Sequence, residues 1–285
     1  EYYSDNTLVF DIKESETIYI EKYVALCRPV EYEGLRLNPI LVEDAYAFKD
    51  ACDILMIEKN KIPDIKVIQS SYLYFLFSLI LSQRGFLDKF LTIMNLCLGV
   101  DFNSKNMEQG DFEPNELLVK ETEANTQIFF VNGWDIAFEI NGQSATLFVE
   151  DKKITAQNFE ELRKIILFQN LYDYDDIQMS DDFRRVIEDY YRIKNKGRHI
   201  PTLEEKEMVV IVNTSYTMET IKELPLRTFE LLFNYSIGKV DYLATMPLLP
   251  NLKEAPEHWV YKREREKYAE IFSDAQEMVN KVTSI

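Results

Sequence analysis

The residues best placed to do chemistry are a run of aspartates, Asp173, Asp175, Asp176, Asp181 and Asp182. Carboxylates at this density are the ligands a hard cation such as calcium takes. The helix–loop–helix calcium site needs glycine at its sixth position and glutamate at its twelfth. Counted from Asp173, those positions hold Gln178 and Arg184, so the pattern fails. The simpler reading is a solvated loop that enters a helix, where anionic side chains suit the positive end of the dipole.

Other catalytic constellations are equally thin. Paired carboxylates can do acid–base work, but with 49 Asp and Glu in the chain such pairs arise everywhere. The two histidines are His199 and His258. A Ser/His/Asp or Cys/His arrangement would have to use one of them. Neither lies near a nucleophile elbow or a cysteine motif. His199 follows Gly197 and Arg198 at an expected helix end, where a cation suits the dipole, and His258 is expected to pack or hydrogen-bond beside Trp259. No phosphate-binding glycine loop, HExxH or kinase motif is present. The sequence therefore predicts no catalytic residue, cofactor, metal ligand or small-molecule substrate, and no enzymatic role.

Composition narrows the partners. The chain has 285 residues and a net charge of −17. Such a surface repels phosphate backbones and anionic lipid, so neither nucleic acid nor a membrane is an expected partner. Charge of this size also serves solubility, and it suits a protein that docks on basic partners or imitates DNA. The longest apolar run, Tyr72–Leu81, is about half a bilayer span. Cys27, Cys52 and Cys97 sit at long spacings among apolar neighbours, as buried thiols in a reducing compartment do. No signal peptide is visible, and synthesis in a cytoplasm is expected.

The elements that would position these residues read as α+β, predominantly helical. Thr7–Ile12 and Thr17–Cys27 read as strands, and Leu35–Leu37 as a short one. Val42, Tyr46, Phe48, Ala51, Ile54 and Leu55 recur at helical spacing. Asp64 is a helix cap, and one apolar helix is expected from there to Gln83, buried in its own lobe or against a partner. Gly85 punctuates it before a third helix to Leu98. Residues 101–125 read as an acidic linker or long loop, which separates an N-terminal lobe (1–100) from a second lobe (126–285). Gln127–Ile154 predicts a three-stranded antiparallel meander with type I′ turns at Asn132-Gly133 and Asn141-Gly142.

Beyond the meander the reading is helical. Thr155 or Asn158 can cap a helix, and Asn158 with Glu161 offers a capping box. Its apolar face is Phe159, Leu162, Ile165 and Ile166. The helix fails over Leu171–Ile177 and restarts at Ser180, with Phe183, Val186, Ile187, Tyr190 and Tyr191 on its apolar face and Gly197 as its stop. Thr202 with Glu205 forms a second capping box. Thr217 caps a short helix, and Pro225 starts another with Phe229, Leu232 and Phe233 inward. A final charged helix, Glu257–Val282, carries a stripe that begins at Trp259. With 17 Tyr and 18 Phe in the chain, contact surfaces built on aromatic anchors are expected. Tyr172, Tyr174 and Trp259 are the candidate partner-binding residues.

Several pieces carry a family resemblance: GLRLNPILVEDAYAF (Gly34–Phe48), FEELRKIILFQN (Phe159–Asn170), PTLEEK (Pro201–Lys206), RTFELLF (Arg227–Phe233) and the late EHW (Glu257–Trp259). Together they resemble tail and baseplate proteins of tailed phages of Gram-positive bacteria. The resemblance implies a non-enzymatic structural or assembly protein of a tail, baseplate or related contractile particle. Its implied partners are other phage structural proteins or further copies of itself. It implies a place in the host cytoplasm during assembly, or in the virion. It carries no catalytic residues. The competing expectation, from charge alone, is an acidic DNA mimic that inhibits a host nucleic-acid enzyme.

Overall fold

The computed structural model describes residues 28–59, 62–99, 117–121, 126–131, 135–172, 174, 181–194, 196–251 and 258. The expected strands Thr7–Ile12 and Thr17–Cys27 lie outside these residues, as does the final helix apart from His258. The fold is α+β: a two-stranded sheet, a group of helices, a five-stranded antiparallel sheet and further helices. The described residues fall into two compact units, one within 1–174 and 219–229, the other within 175–218 and 230–285.

In the first unit, β1 (Val30–Tyr32) and β2 (Leu35–Leu37) form a hairpin in which Tyr32 faces Leu35. Its two-residue turn is Glu33-Gly34, with φ of 51° and 73°. Two positive values are the type I′ signature, whose twist matches that of the strands. A Cβ on Gly34 would stand 3.1 Å from Lys152 Cε, at the flexible end of a side chain that can shift, so it is the positive φ that favours glycine here.

A 3-10 turn (Val42–Asp44) leads into α1 (Ala45–Met56). Val42, Phe48, Ala51, Ile54 and Leu55 are buried as their spacing predicts, but Tyr46 is 68% exposed. The single helix expected over Asp64–Gln83 is two: α2 (Ile65–Gln69) and α3 (Tyr72–Ser82). Asp64 caps α2, accepting from the Lys66 N–H at 2.8 Å. The break falls at Ser70-Ser71. Ser70 is extended, and the Ser71 hydroxyl accepts from the Tyr74 N–H as a fresh N-cap. Gly85 does not punctuate the chain. It lies inside α4 (Arg84–Leu98), and the break is at Gln83, with φ −150°. Gly99, at φ 64°, ends α4.

The sheet has five strands rather than three: β3 (Leu117–Glu121), β4 (Thr126–Val131), β5 (Ile136–Asn141), β6 (Ser144–Val149) and β7 (Lys152–Ile154), in sequential antiparallel order. β3 occupies part of the expected linker, because all five of its residues pair with β4. The Asn132-Gly133 turn lies outside the described residues. At Asn141-Gly142 the turn residues are Gly142 and Gln143, since Asn141 pairs with Ser144. Only Gly142 has positive φ, which fits type II′ rather than the expected I′.

Side-chain alternation places Phe129, Phe138, Leu147 and Ile154 in one row across β4–β7, and all four are buried. Phe77 of α3 meets Phe129 and Phe138 at ring-centroid distances of 4.7 and 5.3 Å, and Phe90 of α4 meets Phe138 at 5.4 Å. Helices before residue 100 and strands after 126 thus share one core. That removes the expected division into lobes 1–100 and 126–285. It also buries most of the apolar helix within its own unit.

After the sheet, α5 (Ala156–Asn170) packs into the same unit. Its cap is Thr155, whose hydroxyl accepts from the Asn158 N–H at 3.3 Å, so Asn158 and Glu161 form no N-terminal box. Phe159, Leu162, Ile165 and Ile166 are buried as predicted. Downstream lie α6 (Asp181–Lys194), α7 (Leu203–Asn213), α8 (Met218–Lys222) and α9 (Leu226–Thr245). A 3-10 segment, Met246–Asn251, follows.

Candidate contact surfaces

α5 carries an unusual set of polar groups for a core helix. At its middle, Arg163 donates to the Leu55 carbonyl at 2.7 Å and lies 4.3 Å from the centre of the Tyr72 ring. Glu160, at 3.1 Å, balances its charge. The Tyr72 hydroxyl donates to the Ile54 carbonyl at 2.7 Å. Two side chains therefore satisfy carbonyls of the last turn of α1, which have no partner within their own helix. Burial drives the Tyr72 hydroxyl well above the ordinary tyrosine range.

The C-terminal end of α5 gathers three distant pieces of chain. The buried Asn170 accepts from the Ile40 N–H at 2.8 Å and donates to the Ile166 carbonyl at 2.9 Å. The buried Gln169 donates to the Leu37 carbonyl at 3.2 Å, while its side-chain oxygen has no partner among the described residues. Arg227 donates to the Phe168 and Leu171 carbonyls at 2.6 and 2.8 Å and stacks 4.5 Å from the Phe168 ring. A cation suits the negative end of a helix dipole. Backbone bonds join the same pieces: Leu226 N–H to Ile40 at 2.7 Å and Val42 N–H to Leu224 at 2.9 Å. Sequence reasoning missed Arg163, Gln169, Asn170 and Arg227 as a group. Its only trace is that long polar side chains interrupt an otherwise apolar helix face.

The candidate aromatic residues divide. Tyr172 follows the end of α5 and is 43% exposed, as a contact residue must be. Tyr174 is half-buried, and its N–H donates to the Leu171 carbonyl at 3.4 Å. Trp259 lies outside the described residues, as do Asp173, Asp175 and Asp176. Asp181 and Asp182 open α6, with their side chains outside the described set.

In the second unit, Thr202 and Glu205 form the capping box of α7. Glu205 accepts from the Thr202 N–H at 2.8 Å and meets His199 Nε2 at 2.7 Å. His199 thus serves the start of α7 rather than the preceding helix end. The Thr202 N–H, and then His199, hold the Glu205 carboxyl below its usual range. Lys206 pairs with Glu230 of α9 at 2.7 Å and lies 5.1 Å from the Phe233 ring. His258 packs its ring 4.9 Å from that of Tyr242.

On α9, Phe233, Ser236, Val240 and Leu243 recur at spacings of three and four, which aligns them on one helix face. Phe233 and Ser236 are buried, but Val240 and Leu243 are 48% and 56% exposed. The stripe therefore runs on past its cover. α7 likewise exposes Met208 and Val212 at i and i+4, and α6 exposes Val186 and Ile193. Val186 belongs to the apolar face expected for that helix.

The two described cysteines are buried, and burial pushes the Cys52 thiol up to about 11 and Cys97 higher still. Among the described residues no group of three or more His, Cys, Asp or Glu is arranged to hold a metal ion. No described helix is long and apolar enough to cross a membrane. Comparison with known protein families, curated proteins and solved structures found no match to this chain.

Proposed function

We propose that this protein is a non-enzymatic structural or assembly component of a phage tail, baseplate or related contractile particle, and that it acts through protein–protein contacts. The observation that carries the reading is the uncovered end of the α9 stripe at Val240 and Leu243. Apolar residues held at helical spacing in water lose the stabilisation that burial would supply, roughly 1.5–3 kcal/mol for each large side chain. A partner surface that covers them recovers it. Exposed Tyr172 adds an aromatic anchor of the type that dominates such interfaces. The sequence resemblance supplies the particle. The expected partners are other tail or baseplate proteins, or further copies of this chain, met in the host cytoplasm during assembly.

The test compares wild-type protein with Val240→Lys/Leu243→Lys and with Tyr172→Ala in association with isolated tail proteins. The lysine pair should abolish association and the tyrosine change should weaken it, with thermal unfolding unchanged. Wild-type association with no tail protein would sink the reading.

A further inference from the structure

The outward face of the five-stranded sheet carries a second, independent surface. Pairing registers place Leu118, Phe130, Ala137, Phe148 and Lys153 in one row across all five strands, on the face opposite Phe129, Phe138 and Leu147. A solvent-facing antiparallel sheet normally shows polar residues there. Here Phe130 is 42% exposed and Leu118 40%, and Lys153 lies 5.8 Å from the centre of the Phe148 ring. The neighbouring row is Lys120, Ile128, Glu139 and Thr146. In these two rows the charges are two lysines and one glutamate, within a chain of net charge −17.

From this geometry we infer that the outward sheet face docks an amphipathic helix of a partner protein, one whose apolar stripe is bordered by carboxylates. Charge selects the partner: Lys120 and Lys153 outnumber Glu139 in these rows, so an acidic flank gains more than a basic one. Size selects a single helix. Five strands about 4.8 Å apart, the longest about 20 Å, make a face of at most roughly 400 Å². That is about half of what each side of a standard stable protein interface buries, so a dimer formed by this face alone would be weak. The inference rests on the reading that the chain works through protein contacts, but it uses a different surface from α9.

The experiment measures binding of a fluorescent synthetic amphipathic helix to the full chain by anisotropy. One probe has a leucine stripe flanked by glutamates, and the other has the same stripe flanked by lysines. The glutamate probe should bind, weaken as salt rises, and lose about tenfold in affinity in Phe130→Gln. Lys153→Glu, a surface change, should weaken it as well and should improve binding of the lysine probe. The inference is overturned if the glutamate probe fails to bind, if both probes bind equally, or if neither substitution matters. A wild-type dimer in sedimentation that Phe130→Gln dissociates would assign the face to a second copy and overturn it too. Failure here leaves tail association through α9 untouched, and loss of that association leaves probe binding untouched.

Discussion

The side-chain oxygen of Asn170 accepts a hydrogen bond from the Ile40 N–H at 2.8 Å, across 130 residues of sequence. Both groups are buried, so each would otherwise be stranded away from water. This bond ties the segment after the first hairpin to the last turn of α5. Asn170→Ala should destabilise the first unit by about 1–3 kcal/mol, the range for leaving a buried partner unsatisfied. The urea midpoint of unfolding checks it. A midpoint equal to that of the wild type would show that the bond contributes nothing.

Arg227 completes the same junction from the other side. It donates to two carbonyls at the end of α5 while its guanidinium stacks on Phe168. Arg227→Met keeps much of the apolar stem but removes the donors, and should cost about 1–3 kcal/mol. Arg227→Lys should recover only part, because an ammonium lacks the planar fork that bonds and stacks together. Full recovery by lysine in thermal melts would rule out the stacking contribution.

Much of the fold was legible because its signals are local. Asp64 and Thr202 act where capping chemistry puts them. The alternation from Gln127 onward gave the central strands. What escaped depends on distant pairing. β3 looked like linker, since Leu117–Glu121 becomes a strand only through β4. The shared core of Phe77, Phe90 and Phe138 joins helices to strands across a stretch that reads as a boundary. Arg163 and Arg227 are unremarkable in sequence, because the carbonyls they serve belong to turns brought close only by folding. On the contact surfaces, Tyr172 was singled out by its type and place. The α9 stripe beyond Phe233 was not, because its exposure depends on what packs nearby.

The buried thiols give a pH-dependent expectation. Burial raises Cys52 to about 11 and Cys97 further, whereas an unfolded cysteine titrates near 8.5. A raised folded value means stability that is fully present below the unfolded value and lost as pH rises through the folded one. At pH 8 both residues should therefore stay unmodified by a maleimide in native protein and react once urea unfolds it. Mapping the adducts by mass spectrometry checks this. Rapid native labelling of either residue would contradict its burial.

Glu205 works in the opposite sense. The Thr202 N–H and His199 hold its carboxyl below the ordinary range. A depressed folded value means that the cap is intact above the unfolded value and is lost as pH falls through the folded one. The Thr202 amide resonance should therefore shift only below the ordinary glutamate range, near pH 4.3. A shift centred above that range would place the carboxylate elsewhere. Thr202→Ala removes the other half of the box and should cost about 1 kcal/mol.

The most direct measurement is quantitative mass spectrometry of purified tail particles, and of tail-assembly intermediates captured from infected cells with the tagged full chain. A structural or assembly role predicts the protein in the particles or in the intermediates, in fixed ratio to tail or baseplate proteins. Val240→Lys/Leu243→Lys should remove it from both. Absence of the wild-type protein from particles and intermediates alike would contradict the role.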